Sequence, residues 1–159
     1  MMRGLGIIVA VGLAPLPVSG QTLTVSEVQI RACADSAPAW EGIPQCVMDA
    51  ANDCQALPGG STTIGIVDCL SAETAVWDAI LNEEYAKARS LFDDVGGDDL
   101  TISLRDAQRA WIAFRDADCA MRYQRWIGGT IRSVVSASCQ LTMTASRALA
   151  LRDLARNTP

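Results

Sequence analysis

The chain has 159 residues, 18 acidic and 13 basic side chains, six cysteines and no histidine. Lack of histidine excludes Ser-His-Asp and Cys-His catalysis and every histidine-ligated metal site; an acidic balance without a basic-aromatic array disfavours nucleic acid as a partner. Six cysteines in a chain of this size point to three disulfides and an oxidising compartment.

Met1 to Gly20 reads as a secretory leader. Arg3 supplies a positive start, Leu5 to Leu13 is apolar apart from glycines, Pro15 and Pro17 end any helix, and Val18-Ser19-Gly20 offers small residues before a cut at Gln21. The apolar run is shorter than the ~20 residues a membrane span needs, and no later segment is apolar enough to cross a bilayer. The expected mature chain therefore begins near Gln21, has no membrane span, and is periplasmic or secreted. No cysteine stands at the new N-terminus, which argues against a lipid anchor there.

Helical spacing dominates the remainder. Thr24-Val25-Ser26-Glu27 has a capping-box pattern that opens a first helix to about Ala34. Pro44 suits the first turn of a second helix, Gln45 to Leu57, and Pro58-Gly59-Gly60-Ser61 reads as a loop. A long third helix is expected from about Ile66 to Phe92, with Cys69, Val76, Trp77, Ile80 and Leu91 on its core side. Asp93 to Asp99 then reads as an acidic, glycine-centred turn. A long fourth helix follows from about Leu100 to Trp126, with Leu104, Ala107, Trp111 and Phe114 as its apolar stripe. Gly128-Gly129-Thr130 reads as a loop. The last helical stretch, Ser133 to Arg156, has a possible new start at Thr142, since threonine is a good N-cap. The expectation is an all-α, disulfide-stapled helical bundle with two long central helices, in which Trp77 and Trp111 are the central packing residues.

Six cysteines allow fifteen connectivities. Local geometry favours Cys33–Cys46, Cys54–Cys69 and Cys119–Cys139, each joining neighbouring elements across a loop. No C-x-x-C motif exists, so redox catalysis and a zinc knuckle are poor readings. Neither a cofactor nor a metal is expected. Charge is divided unevenly: residues 21–99 hold 14 acids against 3 bases, and residues 100–159 hold 4 acids against 9 bases. Two halves that pack and compensate explain this most simply; an acidic face that steers a basic partner is the functional alternative.

Asp78, Asn82 and Tyr85 share one face of the third helix, and Arg115, Asp118 and Arg122 share one face of the fourth, with Gln108 on its flank. These rows are expected to bond across the helices, with Asp78 pairing with Arg109 or Arg115, in a polar network that fixes register. Glu73 and Glu84 lie on or beside the core side of the third helix. They stand three turns apart, roughly 16 Å, too far for paired glycosidase carboxylates, so no enzyme is expected. Two surfaces are candidate contacts: the acidic turn with Asp93, Asp94, Asp98 and Asp99, and the loop with Trp126, Gly128, Gly129 and Thr130, where a tryptophan beside a flexible turn is an interface anchor type.

The run Gln108-Arg109-Ala110-Trp111-Ile112-Ala113-Phe114-Arg115-Asp116-Ala117-Asp118-Cys119, preceded by Asp78-Ala79-Ile80-Leu81-Asn82-Glu83-Glu84-Tyr85 and followed by Gly128-Gly129, Cys139, Leu141-Thr142 and Arg147, resembles the small exported bacterial domain family that includes LprI-type lysozyme inhibitors. The resemblance covers roughly Cys54 to Leu154. It implies a helical, disulfide-bonded, exported domain over residues 54–157, with residues 21–53 as an N-terminal extension carrying the extra pair Cys33 and Cys46. It further implies a binding protein with a protein partner, a lysozyme, and a role in protecting the cell wall. The competing expectation is an envelope structural or adaptor module with another protein partner.

Overall fold

A computed structural model describes residues 22–39, 42–95 and 97–156. The expected leader lies outside them. The described residues form five α-helices: α1 (Glu27–Ser36), α2 (Asp49–Gln55), α3 (Thr63–Val95), α4 (Gly97–Arg125) and α5 (Ile131–Arg156), with no strand among them. The broadest interface joins α3 to α5, α4 lies more against α5 than against α3, α2 lies along α3, and α1 touches α3. The protein is the expected all-α bundle.

Residue chemistry sets the helix ends, in places against expectation. Ser26, not Thr24, caps α1: its Oγ accepts from the Gln29 N–H at 3.2 Å. The second helix is shorter than expected, because residues 45–48 form a turn and α2 runs only from Asp49 to Gln55. Its N-cap, Met48, has a left-handed backbone (φ 83°) and no side-chain cap.

Glu73 from α3 supplies the missing cap. Its carboxylate is buried, Oε1 accepting from the Met48 N–H (2.9 Å) and the Trp77 Nε1–H (3.1 Å), and Oε2 from the Ala51 N–H (2.8 Å). One acidic group thus satisfies two backbone donors at the start of α2 and the indole of the central tryptophan.

Close backbone approach joins α2 to α3. A Cβ on Gly65 would stand 2.1 Å from the Gly59 carbonyl oxygen, and one on Gly60 would stand 2.6 Å from that of Cys54. Thr62 Oγ1 accepts from the Gly65 N–H at 3.0 Å, which starts α3 here, one turn earlier than the sequence pattern suggests.

The turn expected over Asp93–Asp99 is narrower than the sequence pattern suggests. α3 continues to Val95 and α4 begins at Gly97. Asp98 and Asp99 stand in the first turn of α4, where the positive end of the helix dipole favours carboxylates. Nor is α5 interrupted at Thr142: the hydroxyl donates back to the Ser138 and Cys139 carbonyls (2.9 and 3.2 Å), a bond made inside a helix.

Disulfides join Cys33–Cys46, Cys54–Cys69 and Cys119–Cys139, with Cα–Cα distances of 5.8, 5.7 and 5.6 Å. They tie α1 to the turn before α2, α2 to α3, and α4 to α5. A buried ion pair completes the frame: Arg152 Nη2 lies 2.7 Å from Asp153 Oδ1, while Arg152 Nη1 donates to the Ala34 carbonyl and so ties the end of α5 to α1. At the surface Arg31 forms a two-pronged bond with Glu83 (3.0 and 2.9 Å) and also holds Glu27. These bonds hold the Glu83 carboxyl below its ordinary range and raise the Arg31 guanidinium above its own.

The core holds Trp77, fully buried, with Ile30, Leu70, Ile80, Leu81, Leu141, Leu149 and Leu151 around it. Trp111 does not share that place. It is partly buried at the core's edge, and Ala107 and Phe114 of the expected α4 stripe are exposed. The buried line of α4 is instead Leu104, Gln108 and Cys119.

Candidate functional site

α3 and α4 run antiparallel, as do α4 and α5, so the junction of α3 with α4 and the turn between α4 and α5 stand at opposite ends of α4. At about 1.5 Å per residue, its 29 residues separate them by about 43 Å. Each end carries one candidate surface, and a polar seam lies between.

Asp93, Asp94, Asp98 and Asp99 are all exposed at the α3–α4 junction. Asp93 accepts from the Thr101 hydroxyl at 2.6 Å, a bond that links the two helices. Beside it a cavity of about 290 Å³ is lined by Tyr85, Arg89, Asp93, Asp98, Thr101, Ile102 and Arg105. Tyr85, expected in the interhelix network, faces this cavity.

The expected pairing of Asp78 with Arg109 or Arg115 does not form. Asp78 accepts from Asn82 on its own helix at 3.1 Å, and both are exposed, as is Arg109. The reason is the wider packing: α5, rather than α4, covers most of α3. The polar seam therefore joins α4 to α5. Arg147 Nε donates to Gln108 Oε1 at 2.8 Å, and Arg115 Nη1 reaches Thr144 Oγ1 at 3.5 Å while pairing with Asp116 at 2.9 Å. Both guanidiniums stack against Trp111, at 5.1 Å for Arg115 and 5.9 Å for Arg147. Burial pushes the Arg147 guanidinium below its ordinary value. Trp111 thus serves as a platform for two cations, and this fixes α4 on α5.

Asp118 pairs with Arg122 at 2.9 Å and lies beside the Cys119–Cys139 disulfide. The two sulfurs are bonded to each other, so no thiolate is available there to hold a metal.

At the far end, α4 stops at Arg125, Trp126 to Thr130 turn the chain, and Ile131 opens α5. Arg132 braces this turn: it donates to the Tyr123 hydroxyl (2.8 Å) and to the Ile127 and Gly129 carbonyls (2.9 and 3.4 Å), with its guanidinium over the Tyr123 ring. Trp126 is half exposed, and Gly128 and Thr130 are exposed. The sequence reading passed over Arg132 as a brace and Glu73 as a cap; a lone buried acid on an apolar helix face was the available signal for the latter.

The family profile described as "Lysozyme inhibitor LprI" matches residues 54–151. The chain belongs to the LprI lysozyme inhibitor family. The matched span holds α3, α4, most of α5, two of the disulfides and the whole α4–α5 seam. An uncharacterized protein of Rhizobium meliloti (strain 1021) is 26% identical over 121 residues, which is 69% of this chain and 87% of that protein. No solved structure matches. The LprI family is one of inhibitors and not of enzymes, and it implies a protein partner. Among the described residues no helix is long and apolar enough to cross a membrane. Three disulfides together with LprI membership mark an extracytoplasmic protein.

Proposed function

We propose that the protein is an exported lysozyme inhibitor that protects the cell wall, released by cleavage near Gly20 as a chain starting at Gln21. Membership of the LprI family over residues 54–151 carries this reading. The acidic end of the bundle is the face offered to the enzyme. Asp93, Asp94, Asp98 and Asp99 are exposed there beside a cavity, and a basic lysozyme is steered toward such a concentration of negative charge. Residues 54–157 form the inhibitory domain, and residues 21–53 stiffen it through Cys33–Cys46 and the cap at Glu73.

Titration calorimetry of the Gln21 chain against a chicken-type lysozyme tests the face. Binding is expected at low salt, weakening as salt rises. Replacing Asp93, Asp94, Asp98 and Asp99 with asparagine should weaken it at least tenfold at low salt, and unchanged affinity would contradict the assignment of this face.

One observation favours a second reading, an envelope adaptor. On the outer side of α4, Ala107, Ala110, Phe114, Ala117 and Met121 recur at alternating spacings of three and four and are exposed, the spacing of a helix-pairing seam. Capture of envelope proteins on the immobilised chain separates the readings: a lysozyme in the eluate supports inhibition, and another protein retained through Phe114 supports the adaptor.

A further inference from the structure

The end of the bundle opposite the acidic junction belongs to the longest acid-free stretch of the chain. From Cys119 to Arg152 there is no aspartate or glutamate, and Arg122, Arg125 and Arg132 cluster around the α4–α5 turn. Residues 54–67, which lead into the start of α3 at this same end, contain no acid and are flanked by Asp53 and Asp68. Four large apolar side chains are nevertheless exposed here: Met121 (55%), Trp126 (49%), Ile127 (54%) and Ile131 (46%). They lie on the last turns of α4 and at the α4–α5 turn, which Arg132 holds in shape through three hydrogen bonds to uncharged acceptors. A shallow recess of about 420 Å³, lined by Met121, Arg122, Arg125, Trp126 and Val135, places two guanidiniums beside the indole. Asp118 pairs with Arg122 and is the acid nearest to it in the sequence.

The geometry points to docking of this tip on an anionic lipid bilayer. Tryptophan and isoleucine on an exposed turn enter the interfacial region of a membrane, and adjacent arginines meet the phosphates of anionic headgroups. Charge complementarity selects this occupant. A basic lysozyme is repelled from the tip, whereas an anionic leaflet attracts it, so one molecule can rest on the membrane by one end and present its acidic end about 43 Å away. The inference stands apart from the inhibitor reading, since it concerns other residues and another ligand.

All five helices and all three disulfides lie within residues 22–156, so the test uses the oxidised Gln21 chain. It is sedimented with phosphatidylglycerol-containing vesicles and with pure phosphatidylcholine vesicles. Binding to the anionic vesicles is expected at low salt, with little to the neutral ones. Trp126→Ser with Ile127→Ser should lower the partition coefficient at least tenfold. Arg122→Gln with Arg125→Gln should lower it by about fivefold per charge removed. Circular dichroism of each variant should match the parent, because all four side chains are exposed. Absence of binding to anionic vesicles at lipid excess would overturn the proposal, as would binding unaffected by both double variants. Self-association that the Trp126→Ser, Ile127→Ser variant abolishes, without any lipid binding, would overturn it too and assign the tip to a second copy of this chain.

Discussion

Single side chains decide where this bundle is rigid. Glu73 holds three donors from two elements. Glu73→Ala leaves Met48 N–H, Ala51 N–H and the Trp77 indole without their acceptor in the interior, at about 1–3 kcal/mol for each orphaned donor. The expected loss is 3 kcal/mol or more, read from the denaturant midpoint; Glu73→Gln, which keeps one acceptor, should lose less. Gly65 is equally constrained. Its Cβ would meet a backbone oxygen at 2.1 Å, so Gly65→Ala should destabilise by about 1–3 kcal/mol even though alanine is the better helix former. Neither residue was legible as a structural device. Glu73 reads as an acid on or beside the core side of the third helix, a signal that does not name its partners Met48 and Ala51, and Gly65 reads as an ordinary glycine near a helix start, although it packs against the backbone of the preceding turn at Gly59 and Gly60.

Among the elements, the long helices were legible and their faces only partly so. Cys69, Trp77 and Ile80 line the buried side of α3, as 3.6-residue spacing predicts. On α4 the same reasoning misplaced Ala107, Trp111 and Phe114. Hydrophobicity alone does not orient a helix that carries apolar residues on more than one side. What orients α4 is Gln108 bonded to Arg147, Trp111 stacked with two arginines, and Cys119 bonded to Cys139. The contrast is measurable. Trp77→Ala should cost about 3–5 kcal/mol, whereas Phe114→Ser, on an exposed side chain, should stay within about 0.5 kcal/mol. Replacing Cys119 and Cys139 together by serine opens a closure of 20 residues, worth about 3 kcal/mol in the chain-entropy model. Hydrogen exchange should then accelerate first along α4 and the start of α5. Spacing places α3 and α4 within a turn of their observed ends, but makes the acidic turn between them longer than it is. Its glycines suggest a turn, while its aspartates suit the first turn of α4.

The whole molecule is a polar object in the electrical sense. Charge is arranged along the bundle: four exposed aspartates stand where α3 meets α4, and residues 119–152, which hold the α4–α5 turn, contain no acid. That division was legible from counting charges; its arrangement in space was not, because it depends on the antiparallel order of three long helices. The LprI resemblance rested on a motif in α4 whose residues build the α4–α5 seam, so the motif preserves a fold as much as it marks a function. The inhibitor reading is tested most directly by a lysis assay. The oxidised Gln21 chain is added in increasing amounts to a chicken-type lysozyme acting on a cell-wall substrate, with the reduced chain in parallel. The account predicts dose-dependent inhibition that is lost on reduction of the three disulfides. Undiminished lysis at a large molar excess of the oxidised chain would contradict it for that class of lysozyme.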